Sequence, residues 1–288
     1  MEDKKEGRIS EERRREDRRL RRRGLFVVVD GLDGIGKGVV ERAITEYEQK
    51  LEKAVLDTVA FSRAYRKGIP ELKDFWNPPE VCYHTLSTAE PTYAGIGFMI
   101  RSEIISNNGR HYSTIDQIQA YSLDRKIQME RVVIPALENG LNVIQARCFA
   151  ATLCYQSLFA ENEGRSNEDI RKLIMQQEGN KLQLKFAPDL LIIPTIKNTD
   201  ELMERLRNRA LRSKYDNAIF ENAEFQGKLK PLFESDWLRE IFTREGSCVA
   251  YLNAGISEQE TRNQTIEIYS SYLSSRKVPD KYLSPQTI

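Results

Sequence analysis

Residues 25–37 read LFVVVDGLDGIGK: five apolar residues, an acid, then a glycine-rich loop ending in Gly-Lys. Within it, Gly31-Leu32-Asp33-Gly34-Ile35-Gly36-Lys37 has the spacing G-x-x-x-x-G-K. Such a loop turns backbone N–H groups toward phosphate oxygens, and its lysine reaches the outer phosphates. A helix starting at the end of the loop adds the favourable field of its N-terminus. Gly31, Gly34, Ile35, Gly36, Lys37 and Gly38 are therefore the candidate phosphate-binding residues. Gly38 stands where a Ser or Thr hydroxyl ordinarily reaches Mg²⁺. The apolar run before the loop and the helical VVERAITEYEQKLEK after it supply the strand–loop–helix context that the spacing alone lacks.

Four further segments carry groups suited to handling a nucleotide. Glu90 lies in STAEPTY, just past an apolar run, where a carboxylate can face a metal or phosphate; its plain alternative is a charge at a helix start. Tyr121 and Arg125 are four apart and share a helical face, so a ring and a guanidinium could stack on a base and bond its edge. Arg147 follows VIQA at a predicted strand end, with Thr152 and Tyr155 beyond it. The stretch ELMERLRNRALRSKYDN gathers Arg205, Arg207, Arg209, Arg212 and Lys214, either a solvated face or a basic lid over phosphates.

The elements that must position these groups alternate along the chain. Strand-like runs fall at 25–29, 54–61, 81–87, 141–145, 189–194 and 248–252. Amphipathic helical stretches fall at 37–53, 114–138, 166–185, 199–211 and 221–243. The pattern predicts a P-loop NTPase-type α/β fold, a parallel sheet with helices on both faces and an Arg-rich lid. In such sheets ligands bind beyond the carboxyl ends of the strands. Residues 62–80, with three prolines, read as an irregular insertion.

Length and charge set the frame. The 288 residues suffice for one large α/β domain over 24–275, with a charged tail at 1–23 and a loose end at 276–288. No apolar run approaches the roughly 18 residues of a membrane span. The four cysteines lack C-x-x-C spacing and fit a reducing cytoplasm. Residues 1–23 hold 11 basic and 7 acidic residues, which leaves the rest at a net −3. The tail could contact nucleic acid or an acidic partner. Its interleaved charges and lack of aromatics favour a solvated extension.

Taken together, the runs VVVDGLDGIGKG, TAEPTYAGIGFMIRSEI, AYSLDRKIQMERVVIPALENGLNVIQAR, EGNKLQLKFAPDLLIIP and RSKYDNAIFENAEFQGKL, with YQ at 155–156, resemble thymidylate kinases, especially their archaeal branch. The resemblance spans roughly 24–275 and implies transfer of the ATP γ-phosphate to dTMP, with Mg²⁺, by a cytoplasmic homodimer. It implies that Asp33 binds the nucleotide 3′-hydroxyl and that Tyr121 and Arg125 hold thymine. Arg147 would contact the acceptor phosphate, Thr152 the base, and Tyr155 would crowd the 2′ position. Glu90 and Arg101 join this substrate group, Glu90 also as the leading metal carboxylate. Lys37, Arg147, Arg209 and Arg212 would be catalytic. Three positions depart from the pattern: Gly38, Ala146 in place of the aspartate before Arg147, and Cys148 after it. The first two remove groups that support the metal. They leave open a weakened relative acting as a nucleotide sensor or interaction module, and Cys148 leaves open a kinase for another deoxynucleotide.

Overall fold

Every residue of the run FVVV is buried, and they form β1 (Phe26–Val29). Successive strand residues face opposite sides, so complete burial means that both faces of the sheet are covered there. A computed structural model describes residues 23–65, 68–71, 74, 83–198, 200–205 and 223–285. The other strands are β2 (Ala54–Asp57), β3 (Tyr83–Ala89), β4 (Asn142–Ala146), β5 (Leu190–Thr195) and β6 (Cys248–Asn253). Their order is β2-β3-β4-β1-β5-β6, and every pairing is parallel. β1 thus runs through the middle, and the loop that follows it opens at the centre of the carboxyl edge.

The helices are α1 (Lys37–Lys50), α2 (Thr58–Tyr65), α3 (Gly95–Met99), α4 (Thr114–Gln128), α5 (Phe149–Glu161), α6 (Asn167–Gln176), α7 (Glu178–Lys185), α8 (Ala223–Phe233), α9 (Asp236–Arg244) and α10 (Glu258–Ser275). α3 runs on through a π turn, Ile100–Ile104. α4 continues through another, Met129–Val133, into Ile134–Glu138. The second π turn lies just before Pro135, whose ring would meet a carbonyl four residues back in a regular helix.

Three expectations about the elements need correcting. The strand read over 54–61 stops at Asp57, whose carboxylate accepts the Ala60 N–H at 2.9 Å and caps α2. The insertion therefore opens as a helix through residue 65. α5 shows no periodicity because it is buried on nearly all sides, polar Thr152, Gln156 and Ser157 included, which leaves no apolar stripe set against a polar one. The segment expected to be loose is packed at its start: Val278 and Tyr282 are buried, and Asp280–Tyr282 forms a 3-10 turn. The tail 1–22 and Arg207, Arg209, Arg212 and Lys214 of the expected lid lie outside the described residues.

Candidate active site

The site is founded on three strand ends in register. Ala146 of β4 pairs with Val29 of β1 on one side and Ala89 of β3 on the other. Asp30, Glu90 and Arg147 therefore leave the sheet side by side. The Arg147 N–H donates to the Val29 carbonyl and the Glu90 N–H to the Ala146 carbonyl, both at 2.8 Å.

The loop after β1 has the conformation its glycines suggest. Gly31, Gly34 and Gly36 have φ of 146°, 72° and 99°. Gly36 is also the N-cap of α1 and is left-handed, a region that side chains disfavour. The Lys37 ammonium donates to the carbonyls of Leu32 and Gly31, the latter at 2.9 Å, and lies 3.9 Å from the Asp33 carboxylate. At Gly38 a Cβ would meet nothing closer than the Arg42 side chain at 3.5 Å, so a hydroxyl-bearing residue has room.

Asp33 gathers groups from three elements. Its carboxylate pairs with Arg147 and accepts the Tyr155 hydroxyl at 2.9 Å. Arg147 has φ 68°, a left-handed value that costs a non-glycine residue about 1–3 kcal/mol and is retained only where its surroundings impose it. Burial would pull its guanidinium down, but Asp33, Tyr155 and Asp30 outweigh that and hold it well above its ordinary value. Tyr155 is packed against Phe225 and Phe233, and burial drives its hydroxyl well up, so it remains a donor.

A second wall of the site lies between α4 and α5. Arg125 is buried, donates to Thr152 at 3.1 Å and to Asn180, and pairs with Glu90 at 2.7 Å. Tyr121 lies one helical turn earlier, its hydroxyl pushed up to about 12 by burial. Arg101 donates to the Pro91 carbonyl at 2.6 Å. Arg101, Tyr121, Arg125 and Thr152 line one cleft of about 1480 Å³ that also contains Lys37, Asp33 and Arg147. A typical single-ligand pocket is roughly 300–1,000 Å³, so this cleft is larger than one small ligand needs.

Glu90, expected near a metal, has both carboxylate oxygens taken up by protein donors. One Glu90 oxygen takes both Arg125 contacts, while the other accepts Gln145 at 2.9 Å and Gln183 at 2.7 Å. Its work is to hold Arg125. Asp30 is equally committed, accepting the N–H groups of Gly31 at 2.8 Å and of Cys148 and Ala151 at 3.0 Å. Among the described residues no cluster of three or more His, Cys, Asp or Glu could hold a metal. With Gly38 and Ala146 at the other positions, the described side chains do not make a dedicated Mg²⁺ site.

Three residues that matter were missed. Asp30 bridges the loop to the start of α5; an acid closing an apolar strand just before a glycine loop was its signal. Asp124 accepts the Thr92 N–H at 2.7 Å and hydroxyl at 2.6 Å, which fixes the segment after Glu90. Gln226, on α8, accepts the Asp33 N–H at 3.0 Å across 193 positions of sequence. No local pattern announces such a contact.

Comparison with known proteins agrees with this geometry. The sequence profile of the thymidylate kinase family matches residues 78–244. The probable thymidylate kinase of Thermococcus onnurineus is 24% identical over 258 residues, covering 88% of this chain and all of that protein. The thymidylate kinase of Clavibacter michiganensis is 28% identical over 212 residues, covering 73% and 80%. The structure of Candida albicans thymidylate kinase superposes with a TM-score of 0.52 at 17% identity, over 88% of this chain and 93% of that one, and so shares the fold. The profile begins after the phosphate loop, which stands on its own conformation. With more than half of its residues matched by that profile, the chain belongs to the thymidylate kinase family.

Proposed function

We propose that the protein transfers the γ-phosphate of ATP to dTMP, giving ADP and dTDP. The observation that carries this reading is the Asp33–Tyr155–Arg147 cluster, set between the Lys37 loop and the Arg125–Thr152 pair in one cleft. ATP phosphates bind the loop from Gly31 to Gly38, and Lys37 exchanges its carbonyl partners for phosphate oxygens. Thymine stacks on Tyr121 and bonds Arg125 and Thr152. Asp33 accepts the 3′-hydroxyl, and Tyr155 fills the space of a 2′-hydroxyl. Phosphoryl transfer asks the protein mainly for alignment and charge neutralisation. Lys37 and Arg147 supply the charge from the two sides of the transferring group, and lid arginines Arg209 and Arg212 add to it.

Mg²⁺ commonly keeps several waters and takes few protein ligands. In this reading it arrives with ATP and is held by phosphate oxygens and water. The working form is a cytoplasmic homodimer, with the tail at 1–23 outside the chemistry.

A coupled assay of the purified chain with ATP, Mg²⁺ and a panel of nucleoside monophosphates tests the reaction. Turnover greatest with dTMP supports it. Preference for another deoxynucleotide replaces the substrate, and ATP binding without any turnover converts the reading to a nucleotide sensor. Lys37→Ala should weaken ATP binding by at least tenfold, about 1.4 kcal/mol, in calorimetry. Gly38→Ser with Ala146→Asp should raise turnover by roughly 10²-fold and lower the Mg²⁺ needed, because a hydroxyl and a carboxylate at these positions would help hold the cation that neutralises the reacting phosphates. Steady-state rates over a Mg²⁺ series decide; unchanged rates would mean that the missing groups never mattered.

A further inference from the structure

The unit β2–α2 stands at the outer edge of the sheet, before β3, and none of its residues is among the candidates read from the sequence. It nevertheless reaches the cleft. α2 starts at the carboxyl end of β2, the edge where ligands bind. It is pinned there by the Thr58 hydroxyl, which donates to the Ser87 carbonyl of β3 at 2.9 Å. Its Arg63 lines the cleft and lies over the ring of Tyr93, with the guanidinium carbon 4.1 Å from the ring centroid. Arg101 lies over the same ring at 3.9 Å. Two cations within about 8 Å of each other repel unless an anion or a π-system offsets them.

The two arginines are not equivalent. Arg101 is committed through Nε and Nη2 to the carbonyls of Pro91 and Thr92. Arg63 is exposed, lines the cleft and, among the described residues, makes neither a hydrogen bond nor an ion pair. Arg101 also lies within the electrostatic reach of Arg147 and Tyr121, which places this pair against the acceptor wall rather than beside the ATP loop.

We propose that Arg63 binds the 5′-phosphate of the acceptor nucleotide, closing on it from the β2 side while Arg101 and Tyr93 form the fixed wall. This rests on the nucleoside monophosphate kinase reading of the cleft. The forked, permanently charged guanidinium suits a dianionic phosphate, and stacking on Tyr93 orients it before the ligand arrives.

The test compares each nucleotide with its own nucleoside, which lacks only the phosphate. The full-length protein and its Arg63→Ala and Arg63→Lys variants are titrated calorimetrically with dTMP, thymidine and ATP. Arg63→Ala should weaken dTMP binding about tenfold and leave thymidine and ATP unchanged. Arg63→Lys should recover part of the loss, and in kinetics KM for dTMP should rise more than kcat falls. Unchanged dTMP affinity overturns the assignment, as does an equal loss for thymidine, which would mean that Arg63 shapes the wall and not the phosphate site. If the wild type prefers another monophosphate, the thymidylate reading falls, and the same comparison on that nucleotide judges Arg63. If it binds ATP but no monophosphate at all, both fall together.

Discussion

Two buried glutamates mark opposite edges of the sheet. Glu48 ends α1 at the amino edge, and Glu90 follows β3 at the carboxyl edge; both side chains are almost fully buried. Glu48 accepts Lys53 at 2.8 Å, the Thr85 hydroxyl at 2.9 Å, the Tyr269 hydroxyl at 2.8 Å and the Asn142 amide at 3.2 Å. It ties the starts of β3 and β4 to α1 and α10, and none of its partners is in the cleft. Glu90 holds Arg125, which opens onto the cleft wall. Their charges respond differently as well. Burial pushes Glu48 up, but Lys53 and Tyr269 outweigh it and the carboxyl ends low. Burial pushes Glu90 up, and Arg125 does not fully offset it. Satisfaction of a buried acid thus says little about function. An acid that burial holds high even beside a buried arginine, on the wall of a cleft, says more.

The largest expected effect falls on the functional acid. Glu90→Gln leaves Arg125 buried without a countercharge, a change that typically costs about 3–5 kcal/mol. Urea unfolding should show that loss, and dTMP binding should fall with it. If the protein is destabilised while dTMP binding is untouched, Glu90 is no different from Glu48 and the contrast collapses.

Glu48→Gln should cost about 1–3 kcal/mol near neutral pH, the usual penalty for imperfectly satisfied buried partners, with KM for dTMP and ATP unchanged. Its pH dependence has a definite sign. A carboxyl whose folded value lies below its unfolded one contributes stability above the unfolded value of about 4.5, and that contribution drains away as pH falls through the folded value. The stability gap between wild type and Glu48→Gln should therefore narrow on acidification. A gap that widens in acid would reverse the assignment.

The smallest effect sharpens the carboxyl edge. Tyr155→Phe removes only the hydroxyl that donates to Asp33 at 2.9 Å. A hydrogen bond of this kind contributes about 1 kcal/mol, so dTMP affinity should drop about fivefold with little change in melting temperature. Because the ring remains, preference for the deoxy sugar should persist. Loss of that preference in the Tyr155→Phe variant would show that the hydroxyl, not the ring, excludes the 2′ group; binding of dTMP and of its ribose counterpart to both proteins measures it.

The sequence by itself determined what is local. A run of small apolar residues, an acid and spaced glycines specify a strand, a tight loop and a helix start, and those parts stand where their spacing puts them. The alternation of apolar runs with amphipathic stretches determined a parallel sheet, and Tyr121 and Arg125 share a helical face because four residues make about one turn. Local chemistry also misled where it was incomplete: Asp57 ends β2 by capping α2, and α5, buried on nearly every side, carries no period. Tertiary structure alone decided the roles. The register of Ala89, Ala146 and Val29 sets Glu90 beside Arg147 and Asp30. Gln226 meets Asp33 across 193 residues. Glu90 supports Arg125, because only the packing of α4, β4 and α7 reveals which donors surround its oxygens. A carboxylate's residue type states that it can accept; what it accepts depends on elements far away in the chain, and that is settled only when they pack.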